Sequence, residues 1–395
     1  MYYGWVIVAL AFCSLTASYG LLFGYSVFVP HLADALDLSR AAVSAPFSVC
    51  VAFYSLLSLI TGRLTDRIGP RPVLLFGAIA LAAGFVLIGT ADQPWLLFVA
   101  MGAVTGIGMS TAFIPNTATV VRWFTARRGL ALALASMGLS ASMAAGPFVA
   151  VNLIADLGWR EAAITMGLLG GGIVFACALG MRRDPSKRPN DALSASVAEA
   201  AEEPGWTLKE ARSTATYWVL VGVFVLSWII MFFPYAHLAS VPMDLGYAPK
   251  HGAGLIAALG AGGLIGRPAA GWLGDKAGPR IVLAAVIGIQ AAACAVFVGA
   301  EALWLLYFAS ALFGIGANGA VTLFPAVVSD LFGRTNVGAI SGSIFAICGL
   351  IGAMGPLAAG YIRDVTGAYT LAFAIGVVGN LLAVALVTRL RPRAG

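Results

Sequence analysis

Charged residues are scarce in this chain of 395 residues: Asp, Glu, Lys and Arg make up only 10% of it, against roughly 25% in soluble domains. Hydrophobic residues make up 60%, and the mean hydropathy is +0.93. This balance excludes an ordinary soluble globular protein. The 48 glycines do not indicate disorder, because membrane helices tolerate glycine well.

Paired cysteines and catalytic constellations are also lacking. The five cysteines lie far apart in apolar runs, without a C-x-x-C pair or a nearby histidine cluster. The sequence therefore predicts no disulfide, no metal and no cofactor. A membrane enzyme would need a positioned nucleophile, a metal or an acid–base pair, and a substrate sensor would need an appended signalling domain. We find neither and expect a protein that is not an enzyme. The cysteines are Cys13, Cys50, Cys177, Cys294 and Cys348.

Long apolar stretches dominate what is present. Because about 20 apolar residues are needed to span a bilayer as a helix, the hydropathy pattern predicts twelve transmembrane helices. They fall at roughly 5–33, 43–62, 72–91, 95–121, 129–154, 161–181, 216–240, 251–273, 281–299, 302–329, 337–361 and 369–388. The one long polar segment, 182–215, is predicted to be a flexible cytoplasmic linker between residues 1–181 and residues 216–395.

Basic residues indicate the orientation in the membrane, since Lys and Arg are retained on the cytoplasmic side. With both termini cytoplasmic, all but five of the 23 Lys and Arg residues fall on that side. The net charge of +6 is therefore a topology signal and does not indicate a nucleic-acid partner. The five exceptions are Arg40, Arg160, Lys250 and Arg363, which fall outside, and Arg267, which lies within a span.

The two halves repeat each other in sequence. GRLTDRIGPR at 62–71 returns as GWLGDKAGPR at 271–280, 209 residues later, and Gly-Pro at 146–147 returns at 355–356 with the same offset. Such repeats are typical of transporters built from two parallel bundles.

The repeated decapeptide resembles the G-x-L-x-D-x-x-G-x-R signature of the major facilitator superfamily. The resemblance implies an all-α membrane protein in which two six-helix bundles form the major facilitator fold. The residues either simply fix the loop between two helices or act as a cytoplasmic latch that holds one conformation of the transport cycle. The main motif residues are Gly62, Asp66 and Arg71, and Gly271, Asp275 and Arg280.

Other stretches look like the monocarboxylate transporter and oxalate/formate antiporter branch of that superfamily. They include Tyr3-Gly4-Trp5, Arg122-Trp123-Phe124 and Gly266-Arg267-Pro268. The resemblance implies a bacterial inner (plasma) membrane protein that carries small organic anions, most often lactate-like or pyruvate-like, frequently together with a proton. The fold is normally self-sufficient as a monomer.

Arg267 supports this interpretation independently. It is the one Lys or Arg placed well inside a predicted span, where insertion costs about 2.5–3.5 kcal/mol unless the charge faces a polar cavity. A guanidinium matches a carboxylate with two parallel hydrogen bonds. The alternative is a structural arginine that extends toward the cytoplasmic end of its helix. We expect Arg267 to bind the substrate anion.

Acidic residues are missing from the middle of the spans, which bears on coupling. Asp34, Asp156, Asp244, Glu301 and Asp330 all lie near predicted helix ends. A bound monoanion would balance Arg267, whereas a dianion would need a second cation, and none is present in helix 11, where oxalate exchangers of this branch carry a lysine. One negative charge per substrate is the simplest match.

Two positions depart from the animal monocarboxylate transporters. Gly263 stands where those proteins have an Asp one turn before the arginine, and Phe23 stands about where they have a Lys, so their proton-relay residues do not carry over. Histidine is the side chain whose charge ordinarily changes between about pH 5 and 8, and His237 resembles a histidine of bacterial members. It is a candidate for substrate binding or proton coupling, although a lone histidine near a helix end more often makes a local hydrogen bond.

Further candidate substrate-binding residues lie on helices 1, 4, 7 and 10, which the resemblance places around the cavity. Tyr19 and Phe23 share one helix face, and amides on helices 4 and 10 could bind a carboxylate or a hydroxyl, or simply hold helices together. Aromatic residues of helix 7 could line the apolar part or serve as packing. The candidates are Tyr19, Phe23, Asn116, Tyr235 and Asn318, with Trp228 and Phe232 as possible walls.

The predicted function is secondary transport of a small monocarboxylate, coupled to a proton, through alternating access by two rocking bundles. The alternatives are an exchanger for other or larger organic acids and a proton-antiport exporter of amphipathic compounds. An exporter of cations would be expected to carry a buried acid in helix 1, and the sequence has none there.

Overall fold

A computed structural model describes residues 3–38, 40–183, 206–238, 241–248 and 250–390. Within these residues we number the long helices α1 to α12. Two short helices, Leu208–Arg212 and Val241–Asp244, remain unnumbered. The long helices are α1 (Tyr3–Leu36), α2 (Arg40–Ile68), α3 (Pro70–Gly89), α4 (Pro94–Trp123), α5 (Arg128–Leu157), α6 (Trp159–Gly180), α7 (Ala215–His237), α8 (Lys250–Ala277), α9 (Pro279–Gly299), α10 (Leu303–Phe332), α11 (Val337–Thr366) and α12 (Thr370–Val387).

The helices have the length and the surface of a multi-pass membrane protein. In the described part of the chain, eleven of them are long and apolar enough to cross a membrane. The remaining long helix, α8, has 28 residues and carries Arg267. Large apolar side chains such as Phe76, Phe148 and Trp304 are exposed, as expected where lipid tails replace water. The predicted all-helical membrane fold is confirmed.

The chain forms two compact units. Unit 1 comprises Met1–Thr125, Leu134–Gly205 and Gly333–Ala346, and unit 2 comprises Ala126–Ala133, Trp206–Phe332 and Ile347–Gly395. Helix pairing follows the same scheme in both. In unit 1, α6 packs on α1 and α3, and α2 packs on α4. In unit 2, α12 packs on α7 and α9, and α8 packs on α10. The sequence repeat is therefore also a structural repeat.

The predicted linker lies largely outside the described residues, which resume at 206. Its described end is not flexible chain throughout. Thr207 caps the short helix Leu208–Arg212 through a reciprocal capping box with Glu210, and Trp206 donates its backbone N–H to the carbonyl oxygen of Phe332 at 3.1 Å.

The first part of each decapeptide motif lies inside a helix rather than in a loop. Residues 62–66 belong to α2 and residues 271–275 belong to α8. Hydropathy places the helix ends too early, because charged side chains end an apolar run without ending the backbone hydrogen bonds. The turns follow at Gly69 and Gly278, both with φ of 90°, a conformation that favours glycine.

Two of the predicted helices are not uniform. In α4, residues Phe98–Thr105 form a π-helix, and a turn at Thr111 precedes the helical segment Phe113–Trp123. The helix α11 is interrupted between Val337–Gly352 and Met354–Thr366. An apolar run has no periodic signal that could reveal such interruptions.

Glycine contacts bring α8 and α10 close together, and they yield a stability prediction. A Cβ at Gly266 would collide with backbone atoms of Ile315, whereas a Cβ at Gly260, in the same helix, would meet nothing within 4 Å. We expect Gly266→Ala to destabilise the protein by about 1–3 kcal/mol through overpacking. Gly260→Ala should be neutral or stabilising, since alanine favours helix by about 0.5–1 kcal/mol.

Thermal unfolding midpoints in detergent measure the stability of both variants. The matched control separates steric collision from the general effect of adding a methyl group to α8. Equal midpoints for Gly266→Ala and Gly260→Ala would contradict the proposed close packing.

Candidate functional site

Arg267 and Asn318 meet within unit 2, across the contact between α8 and α10. The Nη2 of Arg267 donates to the Oδ1 of Asn318 at 2.6 Å. Both residues are buried, with exposed fractions of 4% and 6%. The guanidinium therefore lies inside the helix packing, on a residue about three turns before the end of α8, and an amide orients it.

Asn116 lies within unit 1 and is fully buried on α4. Its Nδ2 donates to the Oγ of Ser14 on α1 at 3.1 Å and to the carbonyl oxygen of Ala112 at 2.7 Å. Within the described part of the chain, the Oδ1 of Asn116 and the Oγ of the buried Ser18 have no hydrogen-bond partner. The amide thus both joins two helices and retains an acceptor for a hydrogen-bond donor.

The aromatic candidates divide between the two units. Tyr19 is buried on α1 and lies beside the half-buried Phe23, with ring centroids 6.1 Å apart, as their spacing predicted. Tyr235 lies on α7, but its side chain falls outside the described residues.

The two helix 7 aromatics named as possible walls sit against packing partners. Trp228 packs edge-on against Phe324 of α10, with centroids 5.6 Å apart. A Cβ at Gly352 would lie 3.0 Å from the ring of Phe232. Both rings therefore contribute to helix packing within unit 2.

His237 connects three helix segments of unit 2. Its Nε2 lies 2.9 Å from the carbonyl oxygen of Pro356 on α11, and its Nδ1 lies 3.0 Å from the hydroxyl of Tyr369 at the start of α12. A carbonyl oxygen only accepts hydrogen bonds, so in the neutral ring Nε2 carries the proton and Nδ1 accepts from Tyr369. This local role is the alternative that the sequence left open, and it leaves Nδ1 as the atom that could take a proton.

Asp66 in the first motif caps the start of α11, which is distant in sequence; the first part of this helix, up to Ala346, belongs to unit 1 as Asp66 does. Its carboxylate accepts hydrogen bonds from the backbone N–H groups of Gly338, at 3.2 Å, and Ala339, at 2.6 Å. These are among the first N–H groups of α11, where a negative charge is stabilised. Asp66 also forms a buried ion pair with Arg122, with the charged atoms 2.6 Å apart.

Asp275 in the second motif repeats this arrangement within unit 2. Its carboxylate accepts from the backbone N–H groups of Gly129, at 2.6 Å, and Leu130, at 2.9 Å, at the start of α5. Asp275 itself is exposed. The two pairs, Asp66 with Gly338 and Asp275 with Gly129, are related by the offset of 209 residues that relates the motifs.

Glycines make these two caps possible. A Cβ at Gly62 would collide with the backbone of Gly338, and a Cβ at Gly271 would collide with the backbone of Gly129. The first glycine of each motif thus permits the close helix approach that brings the aspartate one turn later to its helix N-terminus.

The arginines that end the two motifs differ. Arg71 is exposed at the start of α3. Arg280 pairs with Asp330, with Nε and Oδ2 3.0 Å apart, and donates to the carbonyl oxygen of Leu390 at 3.0 Å. Arg280 therefore ties the start of α9 to the ends of α10 and α12 within unit 2.

Sequence reasoning missed three partners of the candidate residues. They are Ser14 beside Asn116, Tyr369 beside His237, and the pairing of Asn318 with Arg267. No spacing signal links these residues, since 102, 132 and 51 positions separate the pairs. Only the pairing scheme of the helices could have indicated them.

Comparisons with known proteins agree with the fold and the motifs. The sequence model of the Major Facilitator Superfamily matches residues 8–299 and 251–395. Monocarboxylate transporter 11 of Homo sapiens is 31% identical over 96% of this chain and 81% of its own length. Monocarboxylate transporter 13 of Rattus norvegicus is 29% identical over 94% and 85%.

Among solved structures, the human organic anion transporter MFSD10 (TETRAN) covers 96% of this chain, and 98% of that protein is matched, with a TM-score of 0.74 at 16% identity. This likeness concerns the fold, because the sequences are too different to carry more. With the two-unit helical fold, the two copies of the motif and the family match on both halves, the chain belongs to the major facilitator superfamily and is a transporter rather than an enzyme.

Proposed function

We propose that the protein carries a small, lactate-like or pyruvate-like monocarboxylate, with Arg267 as the group that binds the carboxylate. The observation that supports this most directly is a buried guanidinium held by an amide. The bond to Asn318 orients Arg267 without bringing a negative charge to it. A bound monocarboxylate would bring a negative charge to the guanidinium and accept two parallel hydrogen bonds from it. The names of the relatives, monocarboxylate transporters 11 and 13, point to the same substrate class.

Substrate orientation is the proposed role of the amides and aromatics. Asn116 retains a free acceptor oxygen beside Ser14, which suits a hydroxyl group such as that of a 2-hydroxy acid. Tyr19, Phe23 and Tyr235 are proposed to contact the apolar part of the substrate.

The decapeptide motifs are proposed to act as latches in an alternating-access cycle. Each aspartate holds the N-terminus of a helix from the other sequence repeat, α11 for Asp66 and α5 for Asp275. Breaking such a cap would release the helix end, so the caps favour the conformation in which they are formed. Gly62 and Gly271 support this role by close packing, and Arg280 supports it by tying the start of α9 to Asp330. The corresponding Arg71 of the first motif is exposed.

For the setting, we propose a bacterial inner membrane, both termini in the cytoplasm and a monomer. The orientation rests on the bias of Lys and Arg toward the predicted cytoplasmic loops. The two sequence halves, 1–181 and 216–395, joined by 182–215, are proposed to be the two moving bundles.

Uptake by liposomes tests the proposal. The purified protein is reconstituted, and entry of labelled lactate is measured with and without an inward proton gradient. We expect saturable uptake that the gradient stimulates and that unlabelled pyruvate inhibits. Failure of lactate and of a panel of competing monocarboxylates to enter or compete would refute the substrate class.

The same assay separates symport from anion exchange. Liposomes loaded with unlabelled lactate measure exchange in the absence of a gradient. Exchange without any gradient-driven net uptake would favour the alternative, an exchanger for organic acids. A larger aromatic acid in the competition panel tests whether the half-buried Phe23 leaves room for bulkier substrates.

His237 is our candidate for proton coupling. We expect His237→Gln to lose most of the gradient stimulation while lactate exchange continues, because glutamine can still donate to Pro356 but cannot take up a proton. Tyr369→Phe is the matched control, since it removes the hydroxyl beside Nδ1 and leaves the imidazole; it should retain stimulation with a changed pH dependence. Undiminished stimulation in His237→Gln would assign this histidine a purely structural role.

A further inference from the structure

The meeting of Arg267 and Asn318 depends on a line of backbone contacts between α8 and α10. A Cβ at Gly266 would collide with Ile315, and a Cβ at Gly314 would collide with the backbone of Leu259. With side chains absent at these points, the two helix backbones approach closely enough for short polar side chains to reach across. The geometry of the pair is therefore built into the helix packing.

Asn318 has a defined orientation in this contact. Its Nδ2 donates to the carbonyl oxygen of Gly314 at 3.0 Å, and its Oδ1 accepts from Arg267 at 2.6 Å. Because the carbonyl oxygen of Gly314 can only accept, the amide nitrogen must face it and the amide oxygen must face the guanidinium.

Gly263 provides the space that the amide occupies. It lies one turn before Arg267 on α8, and a Cβ there would be 2.6 Å from the Nδ2 of Asn318. A side chain at 263 and the present position of Asn318 therefore exclude each other. The chain fills the space next to Arg267 from α10, with an amide, instead of from α8.

We propose that Asn318 is the positioning residue for Arg267, and that it holds the guanidinium in place for an incoming carboxylate without competing for its charge. A carboxylate of the same shape at position 318 would form an internal ion pair with Arg267 and would have to be displaced or protonated before a substrate anion could bind. An amide avoids this competition. The inference rests on the proposed function of Arg267.

Other charged groups on the helices around the pair stand toward their ends. The acids on α8 and α10 are Asp275, eight residues after Arg267, and Asp330, twelve residues after Asn318, which is about 12 Å and 18 Å along the helix axes. Lys276 and Arg280 lie at that same end, and His251 and Tyr307 pair near the opposite end, with Nδ1 and the hydroxyl oxygen 3.4 Å apart. Asn318 is thus a neutral group in direct contact with Arg267 whose charge a single substitution can change.

The test compares lactate binding to the purified protein at pH 7.5 and pH 4.5 for the parent chain, Asn318→Asp and Asn318→Ala. Asn318→Asp keeps the shape and changes only the charge. We expect it to weaken binding at pH 7.5 by about tenfold or more and to recover on acidification, by up to about tenfold per pH unit above the pKa of the new carboxyl, the slope for one linked proton. Asn318→Ala should weaken binding equally at both pH values.

A second set of variants changes the space next to Arg267 while residue 318 stays asparagine. Gly263→Ala should push the amide away and weaken lactate binding as Asn318→Ala does, whereas Gly260→Ala, with nothing within 4 Å of its Cβ, should bind as the parent does. Thermal unfolding midpoints of all variants establish that each is folded. Parent-like binding by Asn318→Asp at pH 7.5 would overturn the inference.

The variant Arg267→Gln distinguishes a failure of the positioning inference from a failure of the proposed function. If lactate binding survives in Arg267→Gln, or if the parent does not bind lactate, the proposed function fails. The positioning inference is then judged separately by a double-mutant cycle of unfolding midpoints for Arg267→Gln and Asn318→Asp. Coupling between the two positions supports the contact, and additive effects overturn it.

Discussion

Arg267→Gln is expected to abolish saturable lactate uptake while leaving the protein folded. Truncating one partner of a buried charge pair costs about 2–5 kcal/mol, which corresponds to a loss of affinity of roughly 30-fold or more. Glutamine can still bond to Asn318, but it offers the carboxylate no charge and no planar fork. Initial uptake rates over a range of lactate concentrations, in liposomes with matched protein content, measure the effect.

Arg267→Lys is the control that separates charge from geometry. Lysine keeps the positive charge but replaces the fork with a point charge, so we expect uptake with affinity lowered by about tenfold, that is about 1.4 kcal/mol. If Arg267→Gln transports lactate like the parent, the arginine only extends toward the end of α8, and another residue must bind the carboxylate.

Asp66→Asn is expected to destabilise the protein far more than the equivalent Asp275→Asn. Asp66 is buried and pairs with the buried Arg122, and removing one partner of a buried ion pair costs about 3–5 kcal/mol because the other charge is left uncompensated. The carboxylate also holds two N–H groups of α11. Asp275 is exposed, so the loss of its cap on α5 should cost about 1 kcal/mol.

Unfolding midpoints in detergent compare the two variants directly, because repeat symmetry makes each the control for the other. A double variant of Asp66→Asn with Arg122→Leu removes both charges and should recover part of the stability. Equal losses for Asp66→Asn and Asp275→Asn would show that the ion pair with Arg122 contributes little and that the helix caps alone account for both effects.

Transport measurements extend this comparison to the proposed latch. If the caps hold one conformation of the cycle, both variants should change the exchange rate of lactate more than its binding constant. A variant that binds and exchanges lactate at the parent rates would leave the aspartates a purely structural role.

Much of the fold could be predicted because each membrane helix has a local signal in the sequence. Each span must be apolar over about 20 residues, so the twelve long helices are visible in hydropathy alone. The errors fall where hydropathy carries no information. Hydropathy puts the helical part of each motif, 62–68 and 271–277, near a loop because its charged residues end the apolar run. The π-helix Phe98–Thr105 and the interruption of α11 at Ala353 were missed because they leave composition unchanged.

The candidate site could be predicted only in part, because hydropathy and spacing do not show which side chains meet. Arg267 is recognisable without a structure because a charge inside a span is costly and must have a use. The sequence does not decide whether Asn116 and Asn318 bind the substrate or hold helices together, since an amide in a membrane helix serves either purpose. Which amide faces which group depends on contacts that span 51 residues for Arg267 and 102 residues for Asn116.

By itself, the sequence determined the membrane class, the number of long helices, the repeat at an offset of 209 residues and the unusual position of Arg267, because all of these are properties of composition and spacing. The tertiary structure alone decided that Asn318 orients Arg267, that Gly263 leaves the room for it, and that Asp66 and Asp275 cap α11 and α5. These arrangements arise where helices distant in the chain approach each other closely, and close approach is a property of packing that no local pattern encodes.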